Sequence, residues 1–288
     1  MATAGLARAG RRLGWPLAAG TALTLVTILS GTAATPPAAA SARASGSCGK
    51  AVGPFSVQGT RVLGAGGQVF VSYGTTVPGL QGPDWQDSVT ADLDEIAATS
   101  DDWCANTVRL QLSQDNLLRP SGNGFDRGYM NAIETEVSAA ESDHLVVVLN
   151  DDTELTAPGW NLEQGPTDET ETFWKDLTYV YGADPQVIFD LFNEPRMYYP
   201  GMSQALQWQL WLNGGPFEGV DYPIGMAQLA EYVRNTVGAG NLFWVEGPRY
   251  SVSFAGMVSE GAVLHVSGVV YAVHHTIGAI SSDVWSLR

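Results

Sequence analysis

Four times along this chain a segment of helical periodicity hands over to a short run that is apolar almost throughout. "SVTADLDEIAATSDDW" precedes "NTVRLQL", "GYMNAIETEVSAAESD" precedes "HLVVVLN", "TDETETFWKDLTYVYG" precedes "VIFDLF", and "MAQLAEYVRNTVGAG" precedes "NLFWVEG". A further run, "SGVVYAVHHT", follows. Runs without a polar face predict strands buried on both sides, and their alternation with helices predicts right-handed parallel crossovers. Two architectures satisfy this pattern, a doubly wound open sheet and an eight-stranded barrel. No glycine-rich phosphate loop follows the first strand, which argues against the nucleotide-binding form of the open sheet. Several strands instead end in polar residues: Arg109 and Gln111, Asn150 with Asp151 and Asp152, Asn193 with Glu194, Glu246, and His274 with His275. A barrel gathers such residues at one mouth. The expected fold is therefore α/β, a TIM-type (β/α)8 barrel with about six of its eight βα units present. A short β-hairpin in "PFSVQGTRVLGAGGQVFVSYG" precedes a first strand near residues 68–74.

The first 44 residues hold Arg8, Arg11, Arg12 and Arg43 and no acid, around the apolar stretch "PLAAGTALTLVTILSG". With small residues at Ala42 and Ala44, this is the three-part pattern of a secretory signal, and its apolar core is short for a membrane span. Residues 1–44 are thus expected to be a signal peptide, and the protein to be secreted. Loss of those four arginines takes the net charge from −16 to −20. So acidic a chain repels polyphosphates, which excludes nucleic acid and anionic membranes as expected partners and leaves neutral polymers open. Cys48 and Cys104, the two cysteines, are candidates for one disulfide in an exported protein.

The run "VIFDLFNEPRM" stops being apolar at Asn193-Glu194-Pro195. Pro195 cannot donate a ladder hydrogen bond and biases Glu194 away from helical angles, so the strand ends there and Glu194 stands at a rim. Taken alone, such an acid reads as a solvated strand-end residue.

In context, "FDLFNEP" resembles the acid/base motif of glycoside hydrolase family 5, the cellulase-type (β/α)8 barrels. "NTVRLQL" resembles that family's second strand with its arginine, and "VVYAVHHT" its sixth strand ending in His; the resemblance runs from about residue 52 to 280. It implies that residues 45–288 are a partial catalytic barrel needing no cofactor, acting on a neutral β-linked polysaccharide or oligosaccharide, and monomeric when complete. It also implies Glu194 as general acid/base, Asn193 on the sugar 2-hydroxyl, Arg109 holding the nucleophile's charge, and His274 lining the cleft, with Glu246 on the cleft wall. Retaining cleavage needs two carboxyl groups, about 5–5.5 Å apart, one giving a proton to the leaving oxygen and one supporting the oxocarbenium-like ring from the other face.

Three positions depart from the family pattern. Asn150 stands where many relatives carry His, and Thr276 where a Tyr is common. The nucleophilic Glu that ends the family's seventh strand has no counterpart before Arg288. Glu246 is the best-placed substitute, yet its strand adjoins the acid/base strand instead of facing it. Asp283 is too near the end to be anything but tail. With no carboxylate facing it, Glu194 is expected to ionise readily. The first and sixth strands are expected to have open edges, and the 288-residue chain to be a truncated and inactive barrel. The alternative is a non-catalytic carbohydrate-binding remnant.

Between Glu194 and the next helix, the long insertion "RMYYPGMSQALQWQLWLNGGPFEGVDYP" places Tyr198, Tyr199, Trp208 and Trp211 near the mouth, with Trp160 from the preceding loop. All five are candidates for stacking on sugar rings, although the spacing of Trp208 and Trp211 equally fits the buried face of a short helix. Asp151, Asp152 and Glu154, with His274 and His275, also offer the donor types of a metal site. Adjacent loop acids are more often solvated, and no HExxH motif occurs, so no metal is expected.

Overall fold

The apolar runs form the centre of a six-stranded parallel sheet in the computed structural model, which describes residues 50–118, 124–152, 165–198, 200–216 and 224–274. Its strands are β4 (Gly74–Val77), β5 (Thr107–Leu112), β6 (Val146–Asp151), β7 (Val187–Asp190), β8 (Leu242–Glu246) and β9 (Val269–Ala272). They lie in chain order, each beside the next, as right-handed βα crossovers require. The crossovers carry α1 (Trp85–Asp101), the short α2 (Gln114–Leu118) with α3 (Arg127–Ser142), α4 (Asp168–Tyr181), and α5 (Gln204–Asn213) with α6 (Met226–Glu231). A π-helical turn at Tyr232–Val237 extends α6 and stops at Gly238, whose φ of 93° is left-handed.

Side chains alternate between two faces with period two. Val108, Leu110, Val147, Leu149, Phe189, Phe243 and Val245 face the helices in one core, where Trp174 and Phe189 pack at 4.8 Å between ring centroids. Val146, Val148, Ile188 and Leu242 form a second, smaller core on the inner face. A three-stranded antiparallel sheet covers it: β1 (Ser56–Gln58), β2 (Arg61–Leu63) and β3 (Val69–Phe70), where the expectation was a hairpin. Phe55 and Phe70, 4.5 Å apart, plug that end. The inner face is therefore apolar at the amino ends of the strands. It turns polar one step later, at Arg109, Asn150, Asp190 and Glu246.

The first barrel strand lies further on than expected, at Gly74–Val77 instead of near 68–74. The sequence "GTTV" lacks the apolar signature, because this strand stays at an edge among the described residues. Its glycine permits the close pairing: a Cβ on Gly74 would stand 1.6 Å from the Thr107 carbonyl oxygen. Helix α1 begins at Trp85, with Asp84 as the residue before it and Asp87 in its first turn. Helix α3 is capped by Asp126, whose side chain accepts from the Tyr129 amide, and α4 by a reciprocal Thr167–Thr170 capping box. The first turn of α4 carries three acids, Asp168, Glu169 and Glu171, which favour its positive end.

Candidate active site

The polar layer at the carboxyl ends of the strands is built around Arg109. Its Nε donates to Asp190 Oδ2 at 2.8 Å, and one terminal nitrogen donates to Asn193 Oδ1 at 2.8 Å and to Glu246 Oε1 at 3.0 Å. One side chain on β5 thus ties together β7, the loop after it, and β8. Its own environment keeps the guanidinium charged: burial disfavours the cation, but the carboxylates of Asp190 and Glu246 outweigh that and raise its pKa. Asp190 is fully buried, and burial together with the nearby Glu246 charge pushes its carboxyl up to about 7 against the pull of Arg109.

Beyond Asp190 the chain runs through Leu191, whose amide still bonds to the Trp244 carbonyl, and Asn193, whose amide donates to the Asp151 carbonyl at 2.8 Å. Glu194 then turns into the left-handed region at φ 44°. Its amide donates to Glu246 Oε2 at 2.7 Å, and its carboxyl meets His274 Nδ1 at 2.8 Å. The other ring nitrogen of His274 lies 2.9 Å from Glu246 Oε1. Glu194 and His274 side chains are each 31% exposed, whereas Glu246 is wholly buried. Burial lowers the His274 pKa, but the hydrogen bonds to the two glutamates prevail and raise it to about 10.

Several expected positions are corrected here. Glu246 is not an open cleft wall: with its carboxylate taken by Arg109, His274 and the Glu194 amide, it has no face left for a sugar. Glu246 lies on the strand adjoining that of Glu194, and His274 stands between the two carboxyl groups. Trp208 and Trp211 are 2% and 0% exposed, so neither can stack on a glycan. They form the inner stripe of α5, edge to face at 5.3 Å; their indole N–H groups donate to the carbonyls of Ala255 and Glu246 respectively. Asp151 and Asp152, expected as solvated loop acids, are buried, and Asp152 accepts from Gln111 Nε2 at 2.5 Å. Asn150 is buried as well and donates to the Asp190 carbonyl at 3.5 Å. Trp160, Tyr199, Glu154, His275, Thr276, Asp283 and Cys48 lie outside the described residues. Cys104 is disulfide-bonded. Among the described residues, no cluster of three or more His, Cys, Asp or Glu side chains could hold a metal ion.

Tyr198, half-exposed, does stand at the mouth, with the Arg249 guanidinium 5.4 Å from its ring centre. Beside it is a residue the sequence reading missed, Tyr250, covered in the same way by Arg196 at 5.5 Å. Arg249, Tyr250 and Ser251 all have left-handed backbones, and the amides of the first two bond to the carbonyls of Arg196 and Pro195. The loop after β8 is thereby strapped to the loop that carries Glu194. Asp190 was missed too; its signal was a lone acid inside an otherwise apolar strand.

The Trp211 contact gives a small, clean test. Trp211→Phe keeps most of the packing but leaves the buried Glu246 carbonyl without its donor, so a loss of about 1–2 kcal/mol in urea denaturation is expected.

A parallel βα sheet with arginine, histidine and glutamate side chains converging at its carboxyl edge is the arrangement of a TIM-type barrel. The cellulase family, glycosyl hydrolase family 5, matches residues 64–275, and the chain belongs to that family. Solved structures with the same fold include a β-glucanase from Saccharophagus degradans, 20% identical with a TM-score of 0.56, covering 79% of this chain and 63% of that one. A mannanase catalytic domain from Streptomyces sp. SirexAA-E is 20% identical with a TM-score of 0.53, covering 78% and 62%. A β-mannanase from Thermomonospora fusca is 19% identical with a TM-score of 0.51, covering 78% and 66%. The chain thus spans less than two thirds of the length of each of these three. No curated protein matches it. Six strands of the barrel are present among the described residues, and β9, half-buried throughout, pairs only with β8 among them.

Proposed function

We propose that the protein is a secreted, retaining β-glycan hydrolase in which Glu194 protonates the leaving glycosidic oxygen. The observation that carries this is the placement of Glu194. It sits at the end of a central strand, its carboxyl partly open to solvent, with Asn193 beside it held by Arg109. In this reading Asn193 binds the sugar 2-hydroxyl, Tyr198 offers a ring face, and the substrate is a neutral β-linked chain such as glucan or mannan. The family match supports it, as do β-mannanases of the same fold captured with mannohexaose.

The same reading places the nucleophile outside the described residues. Glu246 does not take that role, because its side chain is wholly buried and already accepts from Arg109, His274 and the Glu194 amide. A glycosyl-enzyme intermediate needs a second carboxylate on the opposite ring face. Because no seventh-strand glutamate is legible in its sequence, the 288-residue chain is expected to bind soluble β-glucan or β-mannan without turning it over. The test measures reducing ends and glycan affinity for the chain and for Glu194→Gln. Equal background turnover with measurable binding supports the reading. Turnover above the Glu194→Gln control would overturn the placement of the nucleophile, and absence of any glycan binding would overturn the substrate class.

A further inference from the structure

Glu246 is a carboxylate without a sugar to touch, yet three separate elements spend donors on it. The Glu194 amide reaches Oε2, while Arg109 from β5 and His274 from beyond β9 reach Oε1. All three partners are N–H groups, so the site requires a side chain that only accepts; an amide would turn its own N–H₂ toward one of them. The bond to the Glu194 amide matters most. Glu194 is a non-glycine residue at φ 44°, a conformation that persists only where its surroundings hold it. His274 is bonded through both ring nitrogens to carboxylates, an arrangement that suits the doubly protonated ring.

We propose that Glu246 is a positioning residue that locks the acid/base loop: it holds the Glu194 backbone in its left-handed turn and orients His274 so that the ring bridges to the Glu194 carboxyl. The role rests on the glycosidase reading only in naming what Glu194 does. Among the described residues, the charged groups around His274 are Glu194, Glu246, Arg109 and Asp190, from the loop after β7, from β8, β5 and β7. Two of them are acidic and in direct contact. Removing the Glu246 charge leaves Glu194 as the single contacting anion, with Arg109 still opposing the imidazolium.

The test follows the imidazole resonances of His274 by NMR across pH in the full chain, using Glu246→Gln and Glu246→Asp. Glu246→Gln is expected to lower the His274 titration midpoint by roughly 1–3 units, the size of a lost contacting charge. Glu246→Asp keeps the charge but is one methylene short, so it should restore most of the midpoint while the Glu194 amide, losing its acceptor, exchanges faster with solvent. A His274 midpoint within 0.3 units, on the order of measurement scatter, in Glu246→Gln would overturn the role. So would a Glu194 amide equally protected in all three proteins. If Glu246→Gln does not fold, the aspartate variant alone decides through the amide exchange. Glycan binding by the unaltered chain is measured in parallel, so that failure of the glycosidase reading shows there and leaves the histidine titration to judge Glu246.

Discussion

Arg109→Ala is expected to destabilise the protein by about 3–5 kcal/mol, the range for breaking a buried charge network from one side. The guanidinium is 11% exposed, while the two carboxylates it bridges are 1% and 0% exposed, so its removal strands two buried charges. What remains is a pair of buried acids on neighbouring strands, with Asn193 freed from its anchor beside Glu194. Lysine should recover little. It carries the charge but offers one nitrogen where Arg109 uses two, in fixed directions, to reach three acceptors. Adding Asp190→Asn to the alanine variant removes one of the stranded charges and should return part of the loss, a non-additivity expected of groups in one network. Urea denaturation near pH 7 measures all four proteins. A loss below about 1 kcal/mol for Arg109→Ala would mean that the cluster is solvated in solution and that Arg109 does not organise it.

This network marks the limit of what the sequence disclosed. Strands buried on both faces announce themselves, because every position must be apolar; "HLVVVLN" and "VIFDLF" needed no partner to be recognised, and Pro195 fixed where the second must end. The edge strand Gly74–Val77 was misplaced because an edge has no such requirement. At the site, Arg109, Asn193, Glu194 and His274 were each visible as polar strand ends, and the fold brings them within hydrogen-bond reach. The role of Glu246 was not visible, since it depends on a contact with Arg109 across 137 residues and with Glu194 across 52. Trp208 and Trp211 show a different limit. Their spacing fits a sugar platform and a helix stripe alike, and only the packing of α5 onto the β8 end, through the Glu246 carbonyl, decides between them.

The strongest pH dependence is expected from a pair of acids away from the mouth. Asp92 on α1 and Glu136 on α3 face each other between the two helices, 5% and 0% exposed. Glu136 was legible in principle: it falls in the stripe Tyr129, Met130, Ile133, Val137, Ala140, where an apolar side chain belongs. Burial, then the charge and hydrogen bond of Asp92, push its carboxyl from 4.5 up to about 9; Asp92 is raised too, by burial first. A group whose folded pKa lies above its unfolded value stabilises the fold fully below the unfolded pKa and loses that contribution as pH rises through the folded one. The pair should therefore favour the folded protein at pH 4–5 and weaken it steadily toward pH 9, as the unfolded chain ionises and the folded one resists. Glu136→Gln keeps the shape and supplies a donor to Asp92 without an ionisable group. It is expected to change little at pH 5 and to raise stability by up to about 3 kcal/mol near pH 7, at roughly 1.4 kcal/mol per pH unit of resisted ionisation. Other acids contribute to the pH profile of both proteins, so the difference between their urea midpoints isolates this pair. Parallel profiles from pH 5 to 8 would show that Glu136 ionises freely in the folded state, and that the helices do not bury a shared proton.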